Sequence, residues 1–138
     1  MIDENYVKSG KVRFGYWNSA FLGDESSWAA EAAECAADQD KFWEYHDILF
    51  AKQNGENQGA FTKENLKQFA AEIGLDSGKF NECLDTGKYT ELIKKDTNDA
   101  QSLGATSTPF FVINGVPLVG ARPYEDFQKL IEQFLSKQ

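Results

Sequence analysis

The chain has 138 residues, of which 41% are hydrophobic, and this is enough apolar material for one domain with a sizeable core. Its formal net charge of −8 and its scattered Lys and Arg residues argue against nucleic acid or an anionic membrane as a partner. No apolar run reaches the roughly 18 residues of a membrane helix. The N-terminus also lacks the basic and apolar regions of a signal peptide, so localisation cannot be predicted for the chain itself.

The first residues predict a helix end followed by a strand. Residues 2–10 have the apolar spacing of a helix that stops before residue 11. In Lys11–Trp17, the side chains of Val12, Phe14 and Tyr16 recur at every second position. That period, together with their β-propensity, predicts a β-strand.

Helical patterns fill most of the chain from about residue 24 to residue 104. The predicted helices are an alanine-rich one over Ser26–Asp38, one over Lys41–Lys52, one opened by Thr62, a short one opened by Asp76, and a more polar one over Tyr89–Leu103. Asn54–Ala60 is polar and contains two glycines, which predicts a loop.

Residues 104–120 carry the strongest local signal in the chain. Phe110–Ile113 reads as a short strand, and Asn114-Gly115 is a strong two-residue hairpin signal. Val116–Val119 completes the hairpin as an edge strand, because Pro117 within it cannot donate to a ladder. Pro123 then opens an amphipathic helix.

This strand–turn–strand–helix ending, with a proline at its entrance and a long helical segment before it, resembles the DsbA-like thiol-disulfide oxidoreductases of the thioredoxin superfamily. The stretches that match bacterial members are 21–23, 25–26, 29–39, 41–47, 74–76, 79–80 and 83–84. The resemblance implies an α/β, thioredoxin-like fold in which residues 1–138 form a single domain with an all-helical insertion over about 24–104. It also implies a cis peptide bond between Thr108 and Pro109.

The chain departs from this family where the family's chemistry lies. DsbA-like enzymes carry a central strand that leads to Cys-x-x-Cys at a helix N-terminus, where the first thiol becomes an attacking thiolate. We find no Cys-x-x-Cys in the sequence. We therefore expect an N-terminally truncated portion of such an enzyme, with the central strand missing, no catalytic residue, no cofactor and no redox activity of its own.

Two alternatives stay open. One is a thiol-less thioredoxin-fold module that binds peptides or proteins in the cis-proline groove. The weaker one is a glutathione-binding relative of the kappa-class transferases, whose reactive serine would lie in the segment that this chain lacks. Either way, a missing central strand would leave unpaired backbone groups, so Lys11–Trp17 should pair with Phe110–Ile113 or a second copy should fill the gap in a homodimer.

The two cysteines, Cys35 and Cys83, are 48 positions apart, and His46 is the one histidine. These three residues cannot form a four-ligand zinc site, so no metal is expected. Both cysteines lie on apolar helix faces, where they could be buried thiols or a redox pair; the family resemblance favours a structural disulfide. Such a bond would place the parent protein in an extracytoplasmic or periplasmic compartment.

His46 is interpreted as a surface or packing residue.

Ser107, Thr108 and Pro109 are the predicted substrate-binding residues. In the family, the cis proline turns the neighbouring backbone amide and carbonyl toward a groove. There they pair with an extended polypeptide in the manner of an added strand. The expected partners are therefore polypeptide substrates of the parent enzyme.

Overall fold

Five helices form one unit of the chain, and a β-hairpin with a closing helix forms the other. The computed structural model describes residues 1–137. The helical unit covers Asn18–Ala100, and the hairpin unit combines Met1–Trp17 with Gln101–Gln138. No helix within residues 1–137 is both long and apolar enough to cross a membrane.

The helices of the first unit begin and end close to where the sequence predicts. They are α1 (Asp24–Ala37), α2 (Phe42–Lys52), α3 (Lys63–Glu72), α4 (Ser77–Asp85) and α5 (Thr90–Ser102). Thr62 and Asp76 are the predicted N-caps, since their side-chain oxygens accept hydrogen bonds from the amides of Asn65 and Lys79 at 3.3 and 3.1 Å. Both cap predictions are confirmed.

The core of the helical unit surrounds the alanine face of α1. Small side chains there let α2, α3 and α4 approach closely. Tyr45 and Phe80 fill the space between these helices with ring centroids 5.4 Å apart. The buried hydroxyl of Tyr45 donates to the Leu66 carbonyl at 2.8 Å, and burial raises its pKa.

A buried carboxylate holds the loop between α2 and α3. Glu25, in the first turn of α1, accepts hydrogen bonds from the backbone amides of Gly59 and Phe61, both at 2.8 Å. The side-chain amide of Asn57 donates to the Leu22 carbonyl at 2.7 Å. A Cβ added to Gly23 would lie 2.0 Å from the side-chain nitrogen of Asn57. Gly23 is therefore required for this loop to close over the start of α1.

The hairpin unit contains strands β1 (Phe110–Ile113) and β2 (Val116–Val119) and helix α6 (Tyr124–Leu135), all as predicted. Near the N-terminus, Asp3–Val7 forms a π-helix rather than a regular helix end. Its buried Tyr6 donates to Glu132 of α6 at 2.8 Å. Loss of solvation and that hydrogen bond raise the pKa of Tyr6 to about 12.

The prediction of a strand over Lys11–Trp17 is wrong. Residues 12–20 have no regular secondary structure, and Phe14, Tyr16 and Trp17 are exposed. The sheet of the described residues contains β1 and β2 only, so Lys11–Trp17 does not pair with β1 either. Alternating side chains give a segment strand propensity, but a strand forms only where a neighbouring backbone accepts its hydrogen bonds.

Candidate functional site

The segment that enters the hairpin is the first part of the candidate site. The Thr108–Pro109 peptide bond is cis, as the family resemblance implies. Ala105 is buried and anchors the segment, whereas Ser107, Thr108 and Pro109 are all exposed. The three predicted substrate-binding residues therefore lie together on an accessible surface; their role stays a prediction.

The hairpin register decides which backbone groups of β1 are available. Phe111 pairs with Leu118 and Ile113 with Val116, across a turn in which Asn114 and Gly115 both have positive φ. The Gly120 amide donates to the Pro109 carbonyl at 2.9 Å. Because bonded and non-bonded pairs alternate in an antiparallel ladder, positions 109, 111 and 113 face β2.

Phe110 and Val112 consequently point their backbone N–H and C=O groups away from β2. Within residues 1–137 these groups have no hydrogen-bond partner. Pro117 lies opposite Val112 in a non-bonded pair, so its missing N–H removes no bond to β1. The outer edge of β1 is thus open, and the outer edge of β2 lacks a donor at its centre.

One face of the hairpin packs against α6, and the other face carries exposed apolar side chains. Phe111 packs edge-on against Phe127 of α6, with ring centroids 4.8 Å apart. On the opposite face, Val112 and Val119 are 48% and 55% exposed. An open edge with apolar side chains is the kind of surface to which an extended polypeptide adds as a strand.

Cys35 and Cys83 lie in the other unit, where they form a disulfide between α1 and α4 with their Cα atoms 5.9 Å apart. Cys35 is 1% and Cys83 8% exposed. A chain expected to lack the family's catalytic cysteine pair therefore does carry a bonded cysteine pair. With a separation of 48 positions, it does not have Cys-x-x-Cys spacing.

A charged cluster that the sequence analysis missed lies beside this disulfide. The carboxylate of Asp38 is 3.9 Å from Cys83 Sγ and accepts hydrogen bonds from Lys88 Nζ at 2.7 Å and from the Tyr89 hydroxyl at 2.5 Å. One signal could have found it. Asp38 follows Cys35 by three positions and Lys88 follows Cys83 by five, so a Cys35–Cys83 bond brings them near each other.

Desolvation alone would raise the pKa of Asp38, but the hydrogen bonds from Lys88 and Tyr89 outweigh it and hold that pKa below its ordinary value. A carboxylate with a lowered folded-state pKa stabilises the fold above its unfolded pKa, near 4, and loses that contribution as the pH falls through the folded value. We therefore expect Asp38→Asn to remove part of the acid sensitivity of unfolding. The effect at pH 7 should stay below about 1 kcal/mol, since the pair is exposed.

Denaturant unfolding at pH 7 and pH 3 measures this difference. Glu56→Gln is the control, because Glu56 is an exposed loop carboxylate with no ion pair within the described residues. Equal acid sensitivity in the Asp38→Asn chain and the wild type would contradict the expectation.

His46 lies on α2 between the rings of Trp43 and Phe50, with centroid distances of 5.5 and 4.6 Å, and its Nδ1 is 3.1 Å from Asp47 Oδ1. These contacts agree with a packing role. No group of three or more His, Cys, Asp or Glu residues within the described part of the chain is arranged to hold a metal ion.

Comparison with known proteins identifies a family and several relatives of this chain. The family profile described as Thioredoxin matches residues 1–133. A probable disulfide bond formation protein D of Bacillus anthracis is 28% identical over 99% of this chain and 64% of its own length. A Na(+)/H(+) antiporter NhaA of Herminiimonas arsenicoxydans is 38% identical over 67% of the chain, but over only 14% of its own length.

Among solved structures, oxidised BdbD of Bacillus subtilis superposes with a TM-score of 0.86 and 27% identity, over 98% of this chain and 75% of that one. The fold class is therefore thioredoxin-like with a helical insertion, as predicted. The chain spans about 64% of the length of the Bacillus anthracis relative that it matches.

Proposed function

We propose that this chain, which belongs to the Thioredoxin family, forms the polypeptide-binding portion of a DsbA-like thiol-disulfide oxidoreductase. The observation that carries the proposal is the exposed Ser107–Pro109 segment, which leads directly into the open edge of β1. The proposed substrates are polypeptides in extended conformation.

The backbone around Thr108 supplies the proposed contacts. Residues 107–109 are exposed and run into a strand whose next outward-facing amide belongs to Phe110. An extended polypeptide placed along this edge gains main-chain hydrogen bonds, which are independent of its sequence. Broad substrate choice follows from that kind of recognition.

Disulfide exchange itself needs an attacking thiolate. In each exchange a thiolate attacks one sulfur of a disulfide, a mixed disulfide forms, and the other sulfur leaves as a thiolate. Both sulfurs of this chain are joined to each other and are at least nine-tenths buried, so neither is present as a thiolate. We propose that the chain alone binds polypeptides without exchanging their disulfides.

The proposed location of the parent protein is an extracytoplasmic or periplasmic compartment. A disulfide between two helices persists where the surroundings are oxidising. No observation favours the glutathione-binding alternative. The polypeptide-binding role of the other alternative is the one proposed here, and the Cys35–Cys83 bond leaves no free thiol in the described residues.

A binding assay tests the proposal. We expect a reduced and alkylated, fluorescently labelled unfolded polypeptide to bind the chain, with Thr108→Arg weakening binding at least tenfold because the long side chain occupies the entrance to β1. Thr106→Arg is the matched control, since Thr106 is also exposed but lies two residues earlier. Equal binding by both variants would overturn the assignment.

An assay of insulin reduction by dithiothreitol tests the second part of the proposal, that the chain alone does not exchange disulfides. The chain should leave the rate at the uncatalysed background, while a Cys-x-x-Cys oxidoreductase accelerates it. Turnover that Cys35→Ser abolishes would instead make Cys35 a catalytic residue and refute the non-catalytic part of the proposal.

A further inference from the structure

The outer edge of β1 has a second property, which is that it is complementary to itself. Phe110 and Val112 each present one backbone donor and one acceptor on the side away from β2. We propose that two copies of the chain pair antiparallel through these edges and form a four-stranded sheet in the order β2–β1–β1–β2. A second copy would occupy the same outward groups that an extended polypeptide would use, so pairing and polypeptide binding exclude each other at this edge.

One register satisfies every outward group. With Phe110 of one copy opposite Val112 of the other, a two-fold axis passes beside Phe111 and both bonded pairs are equivalent. The interface is then isologous, with the same short surface contributed by each copy. A strand of only four residues leaves this register as the one that pairs both outward residues.

The sequence of β1 contains nothing that opposes such pairing. Natural edge strands are protected by charges, prolines or bulges, and Phe110–Ile113 has neither a charge nor a proline. Val112 and Val119 are about half exposed beside the edge. Pairing would bring the apolar side chains of the two strands together as cross-strand neighbours.

The charge distribution also permits pairing. The hairpin unit has six Lys and Arg residues against five Asp and Glu, a net charge of +1, whereas Asn18–Ala100 has eight against seventeen, a net charge of −9. The strands that we propose to pair belong to the nearly neutral unit.

Pro117 explains why the assembly closes as a dimer. It occupies the outward position at the centre of β2, so that edge lacks the donor that a further strand would need. A third copy could therefore not extend the sheet at β2. The open edge of β1 is used once, in a symmetric contact.

Sedimentation equilibrium of the full chain over a wide concentration range tests the proposal. The wild type is expected to dimerise, and Val112→Pro to raise the dissociation constant at least tenfold, because it removes an outward donor without touching a bond to β2. Val112→Thr is the matched control, since it also removes a valine but keeps the amide. A monomeric wild type, or a dimer that Val112→Pro leaves unchanged, would overturn the inference.

Residue-resolved hydrogen exchange of the wild type gives a second readout that needs no variant. The amides of Phe110 and Val112 should exchange at least tenfold more slowly as the concentration rises through the dimer range. The amides of Phe111 and Ile113 should stay protected at every concentration, because they bond to β2. Exchange at 110 and 112 that is independent of concentration would exclude pairing at this edge, even where Val112→Pro fails to fold.

Discussion

Removing the Cys35–Cys83 disulfide is expected to lower the free energy of unfolding by about 4 kcal/mol, the chain-entropy value for a loop closed over 48 positions. The bond joins α1 to α4 across the core of the helical unit, so its loss enlarges the unfolded ensemble of that whole segment. Denaturant unfolding of Cys35→Ser, followed by far-UV circular dichroism, measures the change.

The single variants provide their own controls. Cys35→Ser, Cys83→Ser and the double variant should lose similar amounts, because each of them removes the same cross-link. Chemical reduction of the wild type should lower the midpoint of unfolding by a comparable amount. Identical midpoints for the oxidised and reduced wild type would show that the bond does not stabilise the fold.

Phe80→Ala is expected to lower the free energy of unfolding by about 3–5 kcal/mol, the usual loss for removing a fully buried phenylalanine ring. Phe80 has no exposed surface and packs against Tyr45, whose hydroxyl is held by the Leu66 carbonyl. The surrounding helices cannot collapse into the space without moving that hydrogen bond. A large part of the cavity should therefore remain.

Phe50→Ala is the matched control for this core variant. Phe50 also lies on a helix of the same unit, but 58% of it is exposed and its ring contacts His46 at the surface, so its truncation should change the free energy of unfolding by less than about 1 kcal/mol. Urea unfolding of both variants under one set of conditions makes the comparison. Similar losses for the two would mean that the packing around Phe80 is not what stabilises the unit.

Together these predictions separate stability from function. The disulfide and the Phe80 core both lie in the helical unit, whereas the proposed binding segment and the pairing edge lie in the hairpin unit. Thr108→Arg and Val112→Pro should therefore leave the stability of the helical unit close to that of the wild type. Variants of the disulfide should act on stability first.

Local chemistry made the hairpin and the helices predictable. Asn114-Gly115 allows the positive φ angles that a two-residue turn needs, and this fixes the register of β1 and β2 without any distant contact. Thr62 and Asp76 cap their helices through bonds to residues three positions later. Signals of this range are present in the sequence itself.

The candidate site was predictable only in part. Ser107, Thr108 and Pro109 could be singled out because they adjoin the hairpin and match a known family. The cluster around Asp38 was missed, because its members are 50 positions apart and meet only once α1 and α4 are packed. The carboxylate of Glu25 was missed for the same reason, since its partners Gly59 and Phe61 lie in a distant loop.

Lys11–Trp17 shows where periodicity stops being sufficient. Its alternating side chains are those of a strand, yet it has no regular secondary structure and is not part of the sheet. The sequence by itself determined the fold class, the helices and the hairpin, because caps, turns and amphipathic faces act over a few residues. Only the tertiary structure decided that Lys11–Trp17 joins no sheet, that the two cysteines bond and that the outer edge of β1 stays open, because each of these depends on which partner packing brings close.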